Sequence, residues 1–368
     1  MTSRARIPTR TVARPSYHWS GELFAPDPTP RLGVVIVNYR GADDTIECLE
    51  SLLRCPLPMR VVVVENGSGD DSADRIAAWA QARQPASPAS PAMAPLFITP
   101  LAKPIPLRRL EPGEIGSNSN SDERLSLIVS PDNLGFAGGN NLGLRHLLAD
   151  PEIFTFWLLN NDTVVSRNAP DAVLNRMLAA DRMGMCGTVV RHYWAPERVQ
   201  ALCGFSFNPL TGAATALGGD APASKPFDPQ VIADATDFVL GASLAVSRAF
   251  LEEVGLMEEG YFLYFEEIDW SMRNRRLGAD RFEIGFAHGA IVYHKAGQSI
   301  GSPSAKAGRS AFSDYWLTRS RLRFIWRHYR LLWPWHWLLG WPRAASRLLR
   351  RRPAQAAAIL RATLGRAF

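Results

Sequence analysis

From Leu32 onward the chain alternates unbroken apolar runs with segments of helical periodicity. LGVVIVNY begins at Leu32 and closes on polar residues, DDTIECLESLL follows with helical spacing, and RVVVVEN is a second apolar run. Continuous apolar runs mark strands buried on both faces, and their alternation with helices predicts a parallel sheet. Ile76, Ala77 and Trp79 carry the next helix toward Gln84, LSLIVS restores a strand at Leu125, and FAGGNNLGLRHLLA reads as loop and helix. TFWLLNND is a fourth buried strand that stops abruptly in polar residues. Further strands are expected over 185–192, 238–246 and 291–294, with an acidic helical segment among them. The expected fold class is α/β, a single Rossmann-like, mostly parallel sheet flanked by helices.

Two stretches interrupt this pattern. Residues 1–30 carry Arg4, Arg6, Arg10 and Arg14 with no acid before Glu22, and Pro8, Pro15, Pro26, Pro28 and Pro30 break any amphipathic helix. They read as a disordered N-terminal segment rather than a targeting peptide. Residues 85–123, rich in Pro, Ser and Asn, lack sustained periodicity and read as an inserted, partly disordered loop. The catalytic domain is expected over 31–314 and a helical tail over 315–368.

Charge separates the tail from the body. Of 41 Lys and Arg residues, the last twelve are arginines that follow Asp314, the final acid. The tail is thus +12, and the body, with 29 basic against 35 acidic residues, is −6. Such a division points to an anionic surface as the tail's partner. No apolar run approaches the roughly 18 residues a membrane span requires. The scattered Cys48, Cys55, Cys186 and Cys203 form neither a zinc pattern nor a disulfide framework, and read as reduced cytosolic residues.

In open α/β sheets ligands bind beyond the carboxyl ends of the strands. Here those ends carry Asn38-Tyr39, Glu65-Asn66, Asp132-Asn133 and Asn160-Asn161-Asp162. A carboxylate such as Asp162, flanked by amides after a buried strand, suits a divalent cation shared with a diphosphate, though Asn161 and Asp162 equally suit a helix cap. In GYFLYFEEIDWSMR, aromatic residues surround Glu266, Glu267 and Asp269, and Asp269 stands one helical turn from Arg273. An apolar wall and a neighbouring carboxylate raise a carboxyl pKa toward the range of a general base; an acidic helix N-terminus complementing the dipole is the other reading. His294, closing the strand AIVYH, is a metal ligand, a phosphate donor or a buried ring. The glycines of DNLGFAGGNNLG lack dinucleotide-fingerprint spacing, so they serve close backbone approach or a turn.

In their order, VVIVNYR, VVVVENGSGDDS, NLGFAGGNN, LLNND, GASLAVSR, GYFLYFEEIDWSMR and YHKAG resemble the inverting nucleotide-sugar glycosyltransferases of family 2, particularly the rhamnosyltransferase-like branch, over residues 32–301. The resemblance implies a GT-A nucleotide-diphospho-sugar transferase fold. It implies that Asn38, Tyr39, Glu65, Asn66 and Ser68 hold the base and ribose, and that Asn133, Phe136, Gly138, Asn140 and Asn141 form the donor loop. Asn160 and Asp162 match the ends of an Asp-x-Asp element, with Asn161 between them and His294 as additional ligand, for Mg²⁺ or Mn²⁺. Glu267 matches the general base, supported by Glu266 and Asp269, and Gly241 and Ala242 match a loop beside the acceptor. Glu65 and Glu267 stand where the family usually has Asp, and Asn160 makes the metal element less anionic.

Trp316, Trp326, Trp333, Trp335, Trp337 and Trp341 lie among the tail arginines. The aliphatic content favours a lipid interface over a base-stacking groove, so no nucleic acid partner is expected. The tail is expected to pack only as far as Arg330, leaving the remainder free to associate with a membrane. Together these readings describe an inverting transferase, with dTDP-rhamnose as favoured donor and a glycan or polyprenyl-linked acceptor. It would act in bacterial surface polysaccharide synthesis at the inner face of the cytoplasmic membrane. A metal-dependent nucleotidyltransferase and a catalytically inactive binding module are the competing classes; VNYRGADD lacks the basic glycine-rich loop of the former.

Overall fold

A computed structural model describes residues 32–116, 124–296 and 309–368. Residues 1–30, expected to be disordered, and 117–123 lie outside the described residues, as does the end of YHKAG.

The apolar runs form the centre of one large sheet. β1 (Leu32–Asn38), α1 (Ala42–Leu52), β2 (Met59–Asn66), α2 (Ser72–Gln81), β3 (Leu107–Leu110), β4 (Leu125–Ser130), α3 (Gly135–Leu148) and β5 (Thr155–Asn160) build its parallel half, in the order β3-β4-β2-β1-β5. β1 and β2 are buried almost throughout, which is why their sequences show no polar alternation. Leu32, Val34, Ile36, Val61 and Val63 pack on α1 and α2, and Val35, Val62 and Val64 face α3.

The second half continues the sheet with mixed pairing. It comprises β6 (Thr163–Val165), α4 (Ala169–Leu178), β7 (Met183–His192), β8 (Ala195–Leu202), β9 (Gly204–Asn208), β10 (Ala213–Ala216), α5 (Pro229–Ala235), β11 (Phe238–Val239), β12 (Ser243–Ser247), α6 (Arg248–Val254), α7 (Glu266–Arg275) and β13 (Glu283–His294). β12 inserts antiparallel between β5 and β7, β13 runs parallel to β7, and β6 and β8 pair antiparallel at that margin. This reversal brings Gly241 and Ala242, at the start of β12, to the edge where β1, β5 and β13 end. β9, β10 and β11 form a separate three-stranded antiparallel sheet beside that edge.

Residues 85–116 hold more structure than an inserted loop. Edge strand β3 lies here, Met93, Ile105 and Leu110 are buried, and the backbone amides of Ala86 and Ala89 donate to Glu50 and Glu47. Strand-like alternation is too short in LRRL to register as a pattern; pairing with β4 defines it.

The tail also departs from expectation. α8 (Ala311–His328), α9 (Trp333–Leu338), α10 (Gly340–Leu349) and α11 (Pro353–Thr363) form a packed helical layer that continues well past Arg330. The indole of Trp335, the His336 ring and the Arg343 guanidinium meet the backbone carbonyls of Leu210, Pro209 and Thr211. Arg347 forms a two-bond pair with Asp314 at 2.7 and 2.8 Å. Ala356, Ala358 and Ala362 are small enough for α11 to close onto α8 and α10. The polar groups that suggested a free tail are thus partly consumed in docking it. Among the described residues no helix is long and apolar enough to cross a membrane.

Candidate active site

The carboxyl ends of β1, β2, β5 and β13 share one edge of the sheet, but of the expected site residues only Phe136, Asn160, Gly241, Ala242, Glu266, Glu267 and His294 line the cleft there. Asn38, wholly buried at the end of β1, accepts from Thr45 Oγ1 at 2.8 Å, and Asn38 Nδ2 lies 3.5 Å from Ser68 Oγ. Ser68 in turn accepts from the Arg40 amide at 2.8 Å, and its own amide donates to Glu65 Oε1 at 2.9 Å. The Arg40 guanidinium lies over the half-buried Tyr39 ring. Asn38, Tyr39, Glu65 and Ser68 therefore form one shelf, braced by Arg40 and Thr45.

The adjoining loop, expected to bind the donor, is held mainly by amides. Asn66 Nδ2 donates to Asn133 Oδ1 and to the Gly135 carbonyl, and Asn66 Oδ1 accepts from the Leu134 amide. Gly135 adopts φ +71°, where a Cβ would overlap the carbonyl of Phe262, and the neighbouring Phe136 amide donates to that same carbonyl at 2.9 Å. This glycine therefore permits close approach of the segment preceding α7. Gly138 sits against Leu134, Asn140 bonds the Phe136 carbonyl within α3, and Asn141 clamps Met257 and Glu259. Of this loop only Phe136 lines the central cleft.

Asp162 and His294 meet at the margin. Asp162 Oδ1 lies 3.1 Å from His294 Nε2, and Asn160 Nδ2 lies 3.5 Å from the same nitrogen. Asn161 points away, donating to the Gly41 carbonyl and Thr45 Oγ1. On the far side of the ring, Nδ1 donates to Gln200 Oε1 at 2.9 Å. With Nδ1 so engaged, Nε2 presents a lone pair beside the Asp162 carboxylate and the Asn160 amide, a donor set that suits a shared cation. The residues present therefore fit a divalent ion. No cluster of three or more His, Cys, Asp and Glu side chains is placed for a metal among the described residues, so diphosphate oxygens and water would complete the shell. Gln200, on β8, had no signal in the sequence.

Glu266 and Glu267 open α7 and line the same cleft as His294. Their segment enters the helix through Tyr264 and Phe265, both left-handed at φ 67° and 73°, backbone strain that non-glycine residues tolerate only where the surroundings impose it. A Cβ on Gly241 would overlap Glu267 Oε1, and the Gly241 amide donates to that carboxylate. Burial raises the Glu267 pKa to about 6, against the opposing effect of its backbone hydrogen bonds. Glu266 is buried with Oε1 lacking a partner; burial first and the Glu267 charge second push its pKa well above the usual range. Burial thus raises both carboxyls, Glu266 further than Glu267, which separates two adjacent acids in the way acid–base sites do.

Asp269 does not join them. It is wholly buried on another side of α7, where it accepts from Arg273 Nε at 3.0 Å and Tyr261 OH at 3.2 Å and lies 2.7 Å from His328 Nε2. Burial favours its neutral form, but the His328 bond and the charges of Arg327, His328 and Arg273 overcome this and hold the carboxyl below its ordinary range. Expected to support the base, Asp269 instead fastens α8 to α7.

The cleft between these walls measures about 710 Å³. Asn160, Gly241, Ala242, Glu266, Glu267 and His294 line it, and Phe205, Phe207 and Phe238 of the small sheet add an apolar flank. α8 and α10 close the remainder with Arg321, Arg343 and Arg347. Sequence reasoning did not assign these arginines to the site, since nothing local distinguishes them from their neighbours.

No protein-family model matches the chain. It is 26% identical over 172 residues to the low-salt glycan biosynthesis hexosyltransferase of Haloferax volcanii, covering 42% of this chain and 48% of the relative. The chain thus spans about half the length of that relative. Among solved structures it is similar to a mannosyltransferase from Pyrobaculum calidifontis in complex with GDP-Man and Mn²⁺ (16% identity, 94% of this chain and 79% of that one, TM-score 0.47). It is also similar to S. aureus TarS in complex with UDP-GlcNAc (11% identity, 81% and 67%, TM-score 0.45).

Proposed function

We propose that the protein is a GT-A-type glycosyltransferase that moves a sugar from a nucleotide-diphosphate donor to an acceptor hydroxyl with inversion. The observation that carries this reading is one cleft lined both by His294, which pairs with Asp162, and by Glu267, whose pKa is raised to about 6. The partial likeness to a hexosyltransferase supports it. Asn38, Tyr39, Glu65 and Ser68 receive the base and ribose, with Asn66, Asn133, Asn140 and Asn141 fixing the loop that faces them. Asp162 and His294, with Asn160 beside them, hold Mg²⁺ or Mn²⁺, which supplies positive charge against the diphosphate. Glu267 takes the acceptor proton as that oxygen bonds to the anomeric carbon, while the bond to the diphosphate breaks and the nucleoside diphosphate leaves. A single displacement of this kind inverts the anomeric centre.

The favoured donor is dTDP-rhamnose, in bacterial surface polysaccharide synthesis, with a glycan or polyprenyl-linked acceptor. Exposed Leu331, Trp335, Leu338, Trp341 and Leu349 beside Arg330 and Arg350–Arg352 support peripheral attachment to an anionic membrane, at the inner face of the cytoplasmic membrane.

The test is a thermal-shift series of the protein with UDP, GDP and dTDP sugars, each with and without Mn²⁺. Stabilisation by one nucleotide that grows with metal and vanishes in Asp162→Ala is expected, since a ligand of the folded state raises its stability. No response to any nucleotide overturns the reading in favour of an inactive module.

A further inference from the structure

The cleft wall built by the tail holds positive charge that the protein leaves unanswered. Arg321, on α8, is only 5% exposed, yet its Nε and one terminal nitrogen, Nη2, are buried without a hydrogen-bond partner. Arg343, on α10, donates Nη2 to the Thr211 carbonyl at 2.7 Å and leaves Nη1 buried and unpartnered. Among the described residues neither pairs with a carboxylate. Asp314, the acid that α8 adds to the cleft lining, is occupied by both bonds of Arg347. Buried guanidinium nitrogens are nearly always bonded, and a desolvated cation without a counter-charge is costly. Both arginines line the cleft that holds Glu267, and the apolar flank of Phe205, Phe207 and Phe238 lines it too.

We infer that Arg321 and Arg343 form an anion subsite for a phosphate or diphosphate group carried by the acceptor. Two forks from two helices offer two charges, which a single carboxylate does not balance and a phosphoryl group, with its spread oxygens, does. On the transferase reading Asp162 and His294 serve the donor, so an anion held by the tail helices belongs to the molecule whose hydroxyl meets Glu267. The flanking phenylalanines fit an apolar portion of that molecule. This inference rests on the glycosyl-transfer reading for the words donor and acceptor, but the anion subsite does not depend on that reading. The tail is then part of the substrate site as well as a membrane-facing element.

The experiment titrates the full chain, in EDTA, with inorganic pyrophosphate and with geranyl diphosphate by calorimetry. Binding of the anion is expected, weakened at least tenfold in Arg321→Gln and in Arg343→Gln, less in Arg321→Lys, and unchanged in Asp162→Asn. Tighter binding of geranyl diphosphate than of pyrophosphate assigns the group to a prenyl-linked acceptor, and equal binding assigns it to a soluble phosphorylated one. Melting temperatures give an independent reading. Arg321→Met, which removes an unsatisfied buried charge, should melt higher than wild type without ligand yet gain nothing from pyrophosphate, whereas a structural arginine would melt lower. Failure of wild type to bind either anion, or equal affinities in the glutamine variants, overturns the subsite. Nucleotide binding with Mn²⁺, retained in Arg321→Gln, separates that failure from failure of the transferase reading.

Discussion

Two adjacent carboxyls, Glu266 and Glu267, are raised to different degrees because their surroundings differ. The Gly241 amide and partial access to the cleft leave Glu267 ionisable near pH 6, whereas Glu266 is sealed beside it. Glu267→Gln should lower kcat about 10²- to 10⁴-fold, the usual worth of a general base, with donor affinity unchanged in a binding titration. Activity should fall about tenfold per pH unit below 6, because the base form is lost there. The same shifts bear on stability. A carboxyl whose folded pKa is raised stabilises the fold below its unfolded pKa and loses that contribution as pH rises through the folded value. Glu266→Gln is therefore expected to melt no lower than wild type at pH 8, a comparison that calorimetry makes directly.

Elements meet through a few buried contacts that set where these residues point. Gly241, at the start of β12, leaves room for the Glu267 carboxylate, so Gly241→Ala should displace that group and lower kcat while nucleotide affinity is retained. α7 and α8 are joined by Asp269 and His328. Asp269→Ala leaves the cationic groups of Arg273 and Arg327 facing a cavity and should cost about 3–5 kcal/mol in denaturant unfolding, the range for breaking a buried ion pair. The pairing of Asp269 with Arg273 is visible in the sequence as an i, i+4 spacing, and it occurs. His328, fifty-nine residues away, carries no such signal, so Asp269 looked like a member of the catalytic group.

At the scale of the molecule, the tail decides both the shape of the cleft and the surface beyond it. A chain ending at Arg330 would lose Arg343, Arg347 and the α11 cover together, so surface substitutions test membrane attachment more cleanly. Leu338→Glu with Trp341→Glu should reduce co-sedimentation with anionic liposomes roughly tenfold while the circular dichroism spectrum is unchanged; equal sedimentation would exclude the tail as the attachment surface.

The apolar runs at 32–38, 59–66 and 155–160 announced their buried parallel strands because a strand covered on both faces has no reason to alternate. The polar residues that end those runs announced the site edge for a related reason, since a chain leaving the core must satisfy its backbone in water or with a ligand. Asp162, His294 and Glu267 could be listed from such local cues. Local cues could not decide that Asp162 and His294 lie 3.1 Å apart, that Gln200 orients the ring, or that Asp269 turns to α8. Nor could they decide that Arg321 and Arg343 line the cleft with no carboxylate partner while Arg347, on the same helix as Arg343, is paired. Partners distant in the chain settle these points. A side chain's protonation and role follow from what desolvates and faces it, and only the tertiary structure supplies that.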